Sequence, residues 1–455
     1  MIATICRALA AAGLALAAAG SAHAETKPEP VTVYRHAILI DGTGGSARRD
    51  MAVVVKGERI AAVSPDADLK PADLAGARSV DLSGKYLLPG LIDSHEHLAT
   101  PPNRRLAEAT LRRDLYGGVT AVRDMADDLR AVGELARASR VGEIPAPDIY
   151  YAAFMAGPSF FVDPRTHAAN AGVTPGTAPW MQAITDDTDL PLAIAWAKGT
   201  SATAIKIYAN LSGELVAKIA AEAHRQGLQV WAHSAVFPAT PAQVLAARPD
   251  VVSHTCYMAY EAAGPVPASY QAKTPINPAP FTRGDNAVMA ELFAQMVQRG
   301  ILLDPTMRVY VEGDKRAAKP GAKPSQCPAD LAAILTRQAW KAGVQMSTGT
   351  DGTTPRESPW PAVYDEFEYL VKKVGMPPAE VIRSASLVGA RAAGQEADMG
   401  TVAAGKLANL IVLARNPLDD IGNVRSISLT VKRGREYPRT GYRPIDKDEV
   451  PDETP

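Results

Sequence analysis

The sequence predicts an α/β protein whose central part closes as a (β/α)8 TIM barrel and whose two ends meet in a small composite β-sandwich domain. Hydrophobic runs of strand length alternate with segments of helical period through the middle of the chain, as in βαβ units. About eight such units follow one another, the number that closes a barrel. Strand-like runs with turn residues stand at both ends, and each set is too small to bury a core alone.

The first 24 residues predict a secretory signal. Arg7 supplies the positive n-region, residues 8–20 form an apolar h-region too short to span a bilayer, and Ala-His-Ala at 22–24 resembles a cleavage site. We therefore expect the mature chain to begin near Glu25 and to be periplasmic or secreted. No membrane anchor is expected after cleavage.

The two ends of the mature chain are expected to pair as one small β domain. Residues 31–83 contain short β-rich runs around a Gly-rich turn at 42–45, and residues 405–413 and 427–436 contain further strands with turn signals. The predicted division of the chain is a signal peptide at 1–24, the two parts of the small domain at 25–84 and 397–455, and the barrel at 85–396.

The barrel prediction follows the alternation in order. After a first strand near residue 95, the predicted strands are 119–125, 148–155, 204–209, 229–234, 251–256, 301–305 and 344–350. The predicted helices are 104–116, 129–140, 192–198, 213–225, 241–247, 288–298, 329–341, 360–374 and 379–394. An open doubly wound sheet is the alternative, and it usually carries a Gly-rich phosphate loop after its first strand. Here that position holds His-Glu-His-Leu-Ala-Thr-Pro-Pro, which favours the barrel.

Charge and cysteine content exclude some classes of function. The 48 basic and 49 acidic residues nearly cancel, with no run of either sign, so nothing indicates a nucleic acid or an anionic lipid as partner. Beyond the signal only Cys256 and Cys327 remain, too few for a disulfide framework, and the sequence leaves open whether they pair. It also leaves the oligomeric state open, a homo-oligomer included.

The run that ends in Asp-Ser-His-Glu-His contains the first chemical signal. On a strand, His95 and His97 point to one side and Glu96 to the other, toward the helices. Two imidazoles spaced in this way can hold one cation, and neutral imidazole suits zinc and its first-row neighbours. Ordinary histidines on a half-exposed strand are the alternative, and the motif alone does not decide between them.

Further polar residues stand where the other barrel strands are predicted to end, which is where barrel enzymes carry their chemistry. Four of the eight histidines of the chain lie at such ends. Taken by strand, the candidates are His95 and His97 (first), Lys206 (fourth), His233 (fifth), His254 (sixth) and Asp351 (eighth).

With these residues in place, the sequence resembles the binuclear amidohydrolase superfamily, closest to its periplasmic branch of imidazolonepropionase-like and prolidase-like metal-dependent hydrolases. Leu-Pro-Gly-Leu-Ile-Asp-Ser-His-Glu-His at 88–97 is similar to the first-strand motif of the family, and Gly-Lys-Leu-Ala-Asn-Leu-Ile-Val-Leu at 405–413 to its return to the small domain. The resemblance implies two divalent metal ions, expected to be Zn²⁺. It implies that His95, His97 and Asp351 bind one ion and that His233 and His254 bind the second. It also implies that Lys206, carbamylated by CO₂, bridges the two ions.

Electrostatics favours the same state of Lys206. An ammonium beside two dications would be repelled and desolvated, and both effects favour the neutral amine that can take up CO₂. A lysine head that reaches out of the strand end to solvent is the alternative. In the expected mechanism, a hydroxide bridging the metals attacks, because the metals lower the pKa of water toward about 7. Asp351 accepts the proton and delivers it to the leaving nitrogen.

Substrate-binding residues are less clearly marked. Tyr208 lies on the same strand face as Lys206 and is a candidate donor to the tetrahedral oxyanion, with a tyrosine at the edge of the core as the alternative. The other candidates are Phe160, Phe161, Arg165 and His167 in a long loop after the third strand, and Arg308 just past the seventh strand. A second long loop, 257–285, is expected to cover the mouth of the barrel.

The sequence therefore predicts a metal-dependent amidohydrolase that cleaves a carbon-nitrogen bond in a linear amide, an N-acyl amino acid or a dipeptide. A mononuclear hydrolase of a cyclic amide, or a deaminase, on the same scaffold is the alternative, and Lys206 argues against it. A scaffold protein that has lost its ligands is disfavoured because the expected ligands are all present.

Overall fold

The computed structural model describes residues 30–283, 285–352 and 355–450, so the predicted signal peptide lies outside the described residues. The described chain contains a parallel, nearly closed barrel sheet surrounded by helices and a separate mixed sheet built from both ends. The predicted fold class is confirmed.

The strands fall into these two sheets. In chain order they are β1 (Val31–Leu39), β2 (Arg48–Lys56), β3 (Arg59–Pro65), β4 (Arg78–Asp81), β5 (Tyr86–Pro89), β6 (Leu91–Glu96), β7 (Val119–Asp124), β8 (Asp148–Ala156), β9 (Thr177–Ala178), β10 (Met181–Ala183), β11 (Ala204–Ile207), β12 (Gln229–His233), β13 (Val251–Ser253), β14 (Leu302–Asp304), β15 (Leu410–Leu413), β16 (Ile427–Lys432) and β17 (Arg435–Pro438).

The mixed sheet joins the two ends of the chain. Its order is β17-β16-β15-β5-β1-β2-β3, with β4 also beside β1. β15 runs antiparallel to β5, and Leu410 lies opposite Pro89. The sheet has its own buried apolar cluster, which includes Tyr34, Leu87 and Val431. The terminal segments therefore bury together the core that neither could bury alone.

The predicted first barrel strand is divided between the two sheets. β5 pairs with β1 and β15 in the mixed sheet, whereas β6 pairs with β7 in the barrel. Gly90 separates them, and a Cβ at this position would lie 2.1 Å from the Thr120 hydroxyl oxygen. The chain passes from one sheet to the other where only glycine fits.

Seven parallel strands form the barrel in the order β6-β7-β8-β11-β12-β13-β14. A strand was predicted at 344–350, but this segment forms no regular strand. It still closes the gap between β14 and β6, because Ser347 N–H donates to Leu303 O (2.9 Å) and Ser94 N–H donates to Thr348 O (2.6 Å).

Threonine hydroxyls add hydrogen bonds between the eighth position and β6. Thr348 Oγ1 donates to Ile92 O (3.0 Å), and Thr350 Oγ1 donates to His95 O (3.2 Å). The His95 carbonyl also accepts from Asp351 N–H (2.9 Å), so side-chain and backbone donors together hold this segment on β6.

The α-helices, most of them around the barrel, are α1 (Pro71–Leu74), α2 (Arg104–Tyr116), α3 (Leu129–Arg140), α4 (Pro164–Ala168), α5 (Leu190–Gly199), α6 (Gly213–Arg225), α7 (Pro241–Ala246), α8 (Ala287–Arg299), α9 (Met307–Ala317), α10 (Ala329–Lys341), α11 (Val363–Tyr369), α12 (Pro378–Arg383) and α13 (Gly389–Ala392). π-Helical turns continue α11 over Leu370–Val374 and α12 over Ser384–Val388.

Four helices, α2, α3, α6 and α10, have the predicted bounds. Local signals explain the agreement for two of them, because Asn103 accepts from Leu106 N–H (3.1 Å) and Ser212 accepts from Leu215 N–H (3.2 Å) as N-caps. The short helices α1 and α4 and the longer α9 were not predicted. Within the described residues, no helix has both the length and the apolarity needed to cross a membrane.

A disulfide joins Cys256 and Cys327, which settles the question the sequence left open. Their Cα atoms lie 6.3 Å apart and the two residues are 71 positions apart in the chain. Cys256 lies in the 3₁₀ turn after β13, and Cys327 lies just before α10. The bond therefore ties a loop at the carboxyl end of the barrel to the outer helical layer.

Candidate active site

The six residues predicted as metal ligands line one cavity of about 440 Å³. Each stands at or just past the carboxyl end of a barrel strand or, for Asp351, of the segment in the eighth position. The residues are His95, His97, Lys206, His233, His254 and Asp351. Strands that are far apart in the sequence thus bring their carboxyl ends together at one end of the barrel, as expected for this fold.

Asp351 stands between three imidazoles. Its Oδ1 lies 3.5 Å from His95 Nε2 and 3.3 Å from His97 Nε2, and its Oδ2 lies 3.7 Å from His254 Nε2. The ligand atoms of His95, His97 and Asp351 all lie within 4.8 Å of one another. The centroid of the His233 ring lies 4.6 Å from that of the His254 ring. These spacings suit cations held by several ligands.

Two buried carboxylates orient the histidines of β6. Asp304 Oδ2 lies 2.7 Å from His95 Nδ1, and Asp127 Oδ1 lies 2.8 Å from His97 Nδ1. Both aspartates are fully buried. A metal-binding histidine characteristically donates its second ring N–H to a carboxylate, which leaves the other nitrogen for the metal.

The other two histidines are oriented in a related way. His254 Nδ1 is hydrogen bonded to Thr306 Oγ1 (2.8 Å), and His233 Nδ1 accepts from Ala235 N–H (3.0 Å). In each case Nδ1 is engaged and Nε2 is available to the cavity.

Sequence reasoning missed these orienting residues. Asp304 ends β14 and lies one residue before the end of the predicted seventh strand, so the criterion that found the other candidates would also have found it. Asp127 and Thr306 lie two or three residues past strand ends, where position alone gives a weaker signal.

Lys206 is buried in the cavity wall with 1% of its surface exposed. Its Nζ has no hydrogen-bond partner among the described residues. Burial, assisted by the charge of Arg123, lowers the pKa of Lys206 to about 7. An unsatisfied buried amine is costly, and a neutral amine at this place fits the carbamate that the resemblance implies. Four imidazoles, a carboxylate and this lysine form a donor set that fits divalent metal ions.

The carboxyl group of Asp351 is ionised in this setting. Burial alone would raise its pKa, but the nearby imidazoles of His95, His97 and His254 hold the pKa well below the usual range. The site therefore combines an ionised carboxylate with imidazole nitrogens around a shared space.

An aromatic wall faces the ligands. The Tyr208 ring lies 4.9 Å from that of His233, and its hydroxyl lies 3.3 Å from the Tyr270 hydroxyl and 3.4 Å from Arg165 Nη1. Tyr257 stacks on His233 at 5.5 Å and 25°. Tyr257 and Tyr270 come from the loop that was expected to cover the mouth, and both line the cavity.

The predicted substrate residues after β8 fall in different places. Phe160 and Arg165 line the cavity, and Arg165 is paired with Asp163 at 2.8 Å. Phe161 is buried against Phe160 (6.4 Å between ring centroids) and is not part of the lining. His167 is exposed and outside the lining.

Arg308 is buried and lies outside the lining of the cavity, with its Nε 3.6 Å from Asp365 Oδ2. A Cβ at Gly352, the residue after Asp351, would lie 2.8 Å from Arg308 Nη1, so the guanidinium stays beside the candidate site although it does not line the cavity. Arg308 sits at the start of α9, a helix that the sequence did not predict.

Residues 86–436 match the sequence model of the amidohydrolase family. The chain belongs to the amidohydrolase family. This amidohydrolase is 41% identical to an imidazolonepropionase of Pseudomonas aeruginosa over 69 residues, a match that spans 15% of this chain and only 17% of that relative. The family resemblance read from residues 88–97 and 405–413 is thereby confirmed.

Solved structures resemble the amidohydrolase over nearly its whole length. A Xaa-Pro dipeptidase superposes with a TM-score of 0.71 at 20% identity, covering 90% of this chain and 100% of that one. An ochratoxinase of A. niger superposes with a TM-score of 0.71 at 22% identity, covering 93% and 99%. At these identities the likeness shows the fold.

Proposed function

We propose that this amidohydrolase is a binuclear metal-dependent hydrolase that cleaves the carbon-nitrogen bond of a small amide, such as an N-acyl amino acid or a dipeptide. One observation carries the proposal: imidazole nitrogens, the Asp351 carboxylate and the Lys206 amine face one cavity at the carboxyl ends of the barrel strands, and the amine has no hydrogen-bond partner among the described residues. Membership of the family and the likeness to a dipeptidase support it.

The proposed metals are two divalent ions, Zn²⁺ in the first instance. When bound, such ions polarise a carbonyl and lower the pKa of a water molecule. The residues proposed to hold them are His95, His97 and Asp351 for one, His233 and His254 for the other, and a carbamylated Lys206 for both. The partnerless Nζ supports the carbamate, because CO₂ addition would replace an unsatisfied buried amine by an anionic ligand.

The protein residues then move the protons. Asp351 is ionised and accepts the proton of the attacking water on a carboxylate oxygen, then returns it to the leaving nitrogen. Tyr208 presents its hydroxyl to the same cavity and donates to the developing oxyanion. Phe160 and Phe154 cover the adjacent wall and exclude water from the reacting groups.

The test combines metal analysis with a substrate panel. The purified protein is depleted of metal, reloaded with zinc or manganese, and assayed on N-acyl amino acids and dipeptides. We expect about two ions per chain and hydrolysis that depends on them. Absence of carbon-nitrogen hydrolysis at every metal loading overturns the proposal.

A mononuclear hydrolase of a cyclic amide, or a deaminase, is the second candidate. One observation favours it: among the described His, Cys, Asp and Glu residues that line the cavity, only His95, His97 and Asp351 form a group of three whose ligand atoms all lie within 4.8 Å of one another. The buried Lys206 argues against this alternative, because with a single ion its amine would have no pair of metals to bridge. Full activity with one ion per chain would establish this alternative.

We also propose that the protein is periplasmic or secreted. The signal-like residues 1–24 support this, as does the disulfide, since such bonds persist in oxidising compartments. Amino-terminal sequencing of the protein from a periplasmic fraction tests it, and the expected first residue lies near Glu25.

A further inference from the structure

A second cavity of about 330 Å³ lies beside the first, between α9 and the segment that leads to Cys327. The two cavities share three lining residues, Tyr257, Val309 and Arg316. Tyr257 is also the ring that stacks on His233 at 5.5 Å. The side chain of Tyr257 therefore lies between the second cavity and the candidate metal ligands.

The lining of the second cavity is cationic. It contains Arg316 and Lys323 and no carboxylate. Neither cation forms an ion pair with a carboxylate among the described residues, whereas neighbouring cations do, such as Lys315 with Glu312 at 2.7 Å. Arg316 and Lys323 are both exposed, and without a carboxylate in the lining they give this concave space a positive potential that favours an anion.

The walls of this space are held in place. The disulfide fixes Cys327 at one side, and Ser325 Oγ donates to Cys327 O (2.9 Å). On the facing helix, Gly313 leaves room, because a Cβ there would lie 3.5 Å from Ser325 Oγ and 4.0 Å from Arg316 Nη2.

We propose that the second cavity is a subsite for a carboxylate at the end of the substrate remote from the scissile amide, bound by Arg316 and Lys323. The inference rests on the proposed function and narrows its substrate class to elongated amides with a terminal carboxylate. Arginine matches a carboxylate with two parallel hydrogen bonds, and lysine adds a point charge. Because Tyr257 stands between the cavities, this carboxylate is several bonds from the scissile carbonyl.

The experiment uses two series of amides as molecular rulers with the metal-loaded enzyme. One series is ω-carboxyacyl anilides from succinyl to suberyl, and the other is acetyl amides of ω-amino acids of increasing length. Each compound is paired with its neutral analogue, in which a carboxamide replaces the carboxylate. We expect one series to show a length at which kcat/KM for the acid exceeds that for the neutral analogue by about tenfold.

Variants test whether the second cavity causes the preference for the acid over its neutral analogue. Arg316→Gln should lower the acid-to-neutral ratio at the best length about tenfold, and Lys323→Gln should lower the ratio less. Lys319→Gln is the matched control, because Lys319 lies in the same segment, is exposed and is absent from both linings. A ratio unaffected by Arg316→Gln, or equally affected by Lys319→Gln, overturns the inference.

A binding measurement separates this inference from the proposed function. Glutarate, adipate and suberate are titrated calorimetrically into wild-type enzyme and into the Arg316→Gln variant. If no amide is hydrolysed but a dicarboxylate binds wild type about tenfold more tightly than the variant, the subsite stands and the proposed hydrolysis falls. If the dicarboxylates fail to bind, or bind both proteins equally, the subsite falls whatever the hydrolysis result.

Discussion

Replacing Asp304 by asparagine tests whether buried carboxylates prepare the imidazoles for metal. Asp304 Oδ2 lies 2.7 Å from His95 Nδ1 and 3.0 Å from Ser253 Oγ. Burial alone would raise the pKa of Asp304, but the hydrogen bond with His95 and the charge of Arg123 hold it below the usual value. Asparagine keeps the shape and removes the charge, and its amide can present a donor to Nδ1, which favours the wrong tautomer of His95.

The expected magnitude follows from the burial and the charge of this contact. A hydrogen bond to a charged group contributes roughly 1.5–3 kcal/mol, and loss of an orienting partner typically weakens metal binding about 10–100-fold. Asp304 and His95 are both almost fully buried, so solvent does not replace the lost contact. We therefore expect the ion held by His95 to bind about 30-fold more weakly. Asp127→Asn should cost less, because its partner His97 is 38% exposed.

The assay is competition for Zn²⁺ between the protein and a chromophoric chelator. Thermal denaturation of the metal-free proteins checks that the variant folds. Asp250→Asn is the control, because Asp250 pairs with His224 at 2.9 Å on the exterior, away from the cavity. Wild-type zinc affinity in Asp304→Asn, or an equal loss in Asp250→Asn, would refute the reasoning.

Four further predictions concern the same structure. Asp351→Asn should keep the fold and lose most turnover, and a near wild-type kcat in the metal-loaded variant would exclude its role as base. Lys206→Gln should reduce bound metal from about two ions to about one by elemental analysis, and unchanged content would exclude the bridge. The Cys256→Ser/Cys327→Ser double variant should lose about 4 kcal/mol of unfolding free energy in urea, since the bond closes a loop of 71 residues. Gly349→Ala should weaken metal binding, because its Cβ would lie 2.3 Å from an Asp304 oxygen and 2.6 Å from His95 Cβ; unaltered zinc affinity would contradict this.

The barrel could be predicted because local patterns determine most of its elements. α2 and α6 have N-caps and apolar faces that mark their bounds without tertiary information. The eighth position could not be read in this way. Its residues have the length and the position of an eighth strand, but the segment is held on β6 partly by the hydroxyls of Thr348 and Thr350, and these contacts depend on a strand some 250 residues away.

The candidate ligands were found because each follows a hydrophobic strand, a signal carried by a few neighbouring residues. Their supporting groups were harder to predict. Asp304 precedes a proline, where an aspartate is equally typical of an ordinary strand end. The Cys256–Cys327 pairing depends on where the loop after β13 meets α10, and no local pattern encodes that meeting.

The pairing of β5 with β15 also affects how the protein can be made. Because Leu410 lies opposite Pro89, the strand that leads into the barrel keeps an open edge until the ribosome has completed nearly the whole chain. A product truncated before residue 410 would expose that edge, which is a template for aggregation. A folding chain therefore cannot complete this sheet before its last strands arrive, and until then the open edge of β5 can pair with another chain.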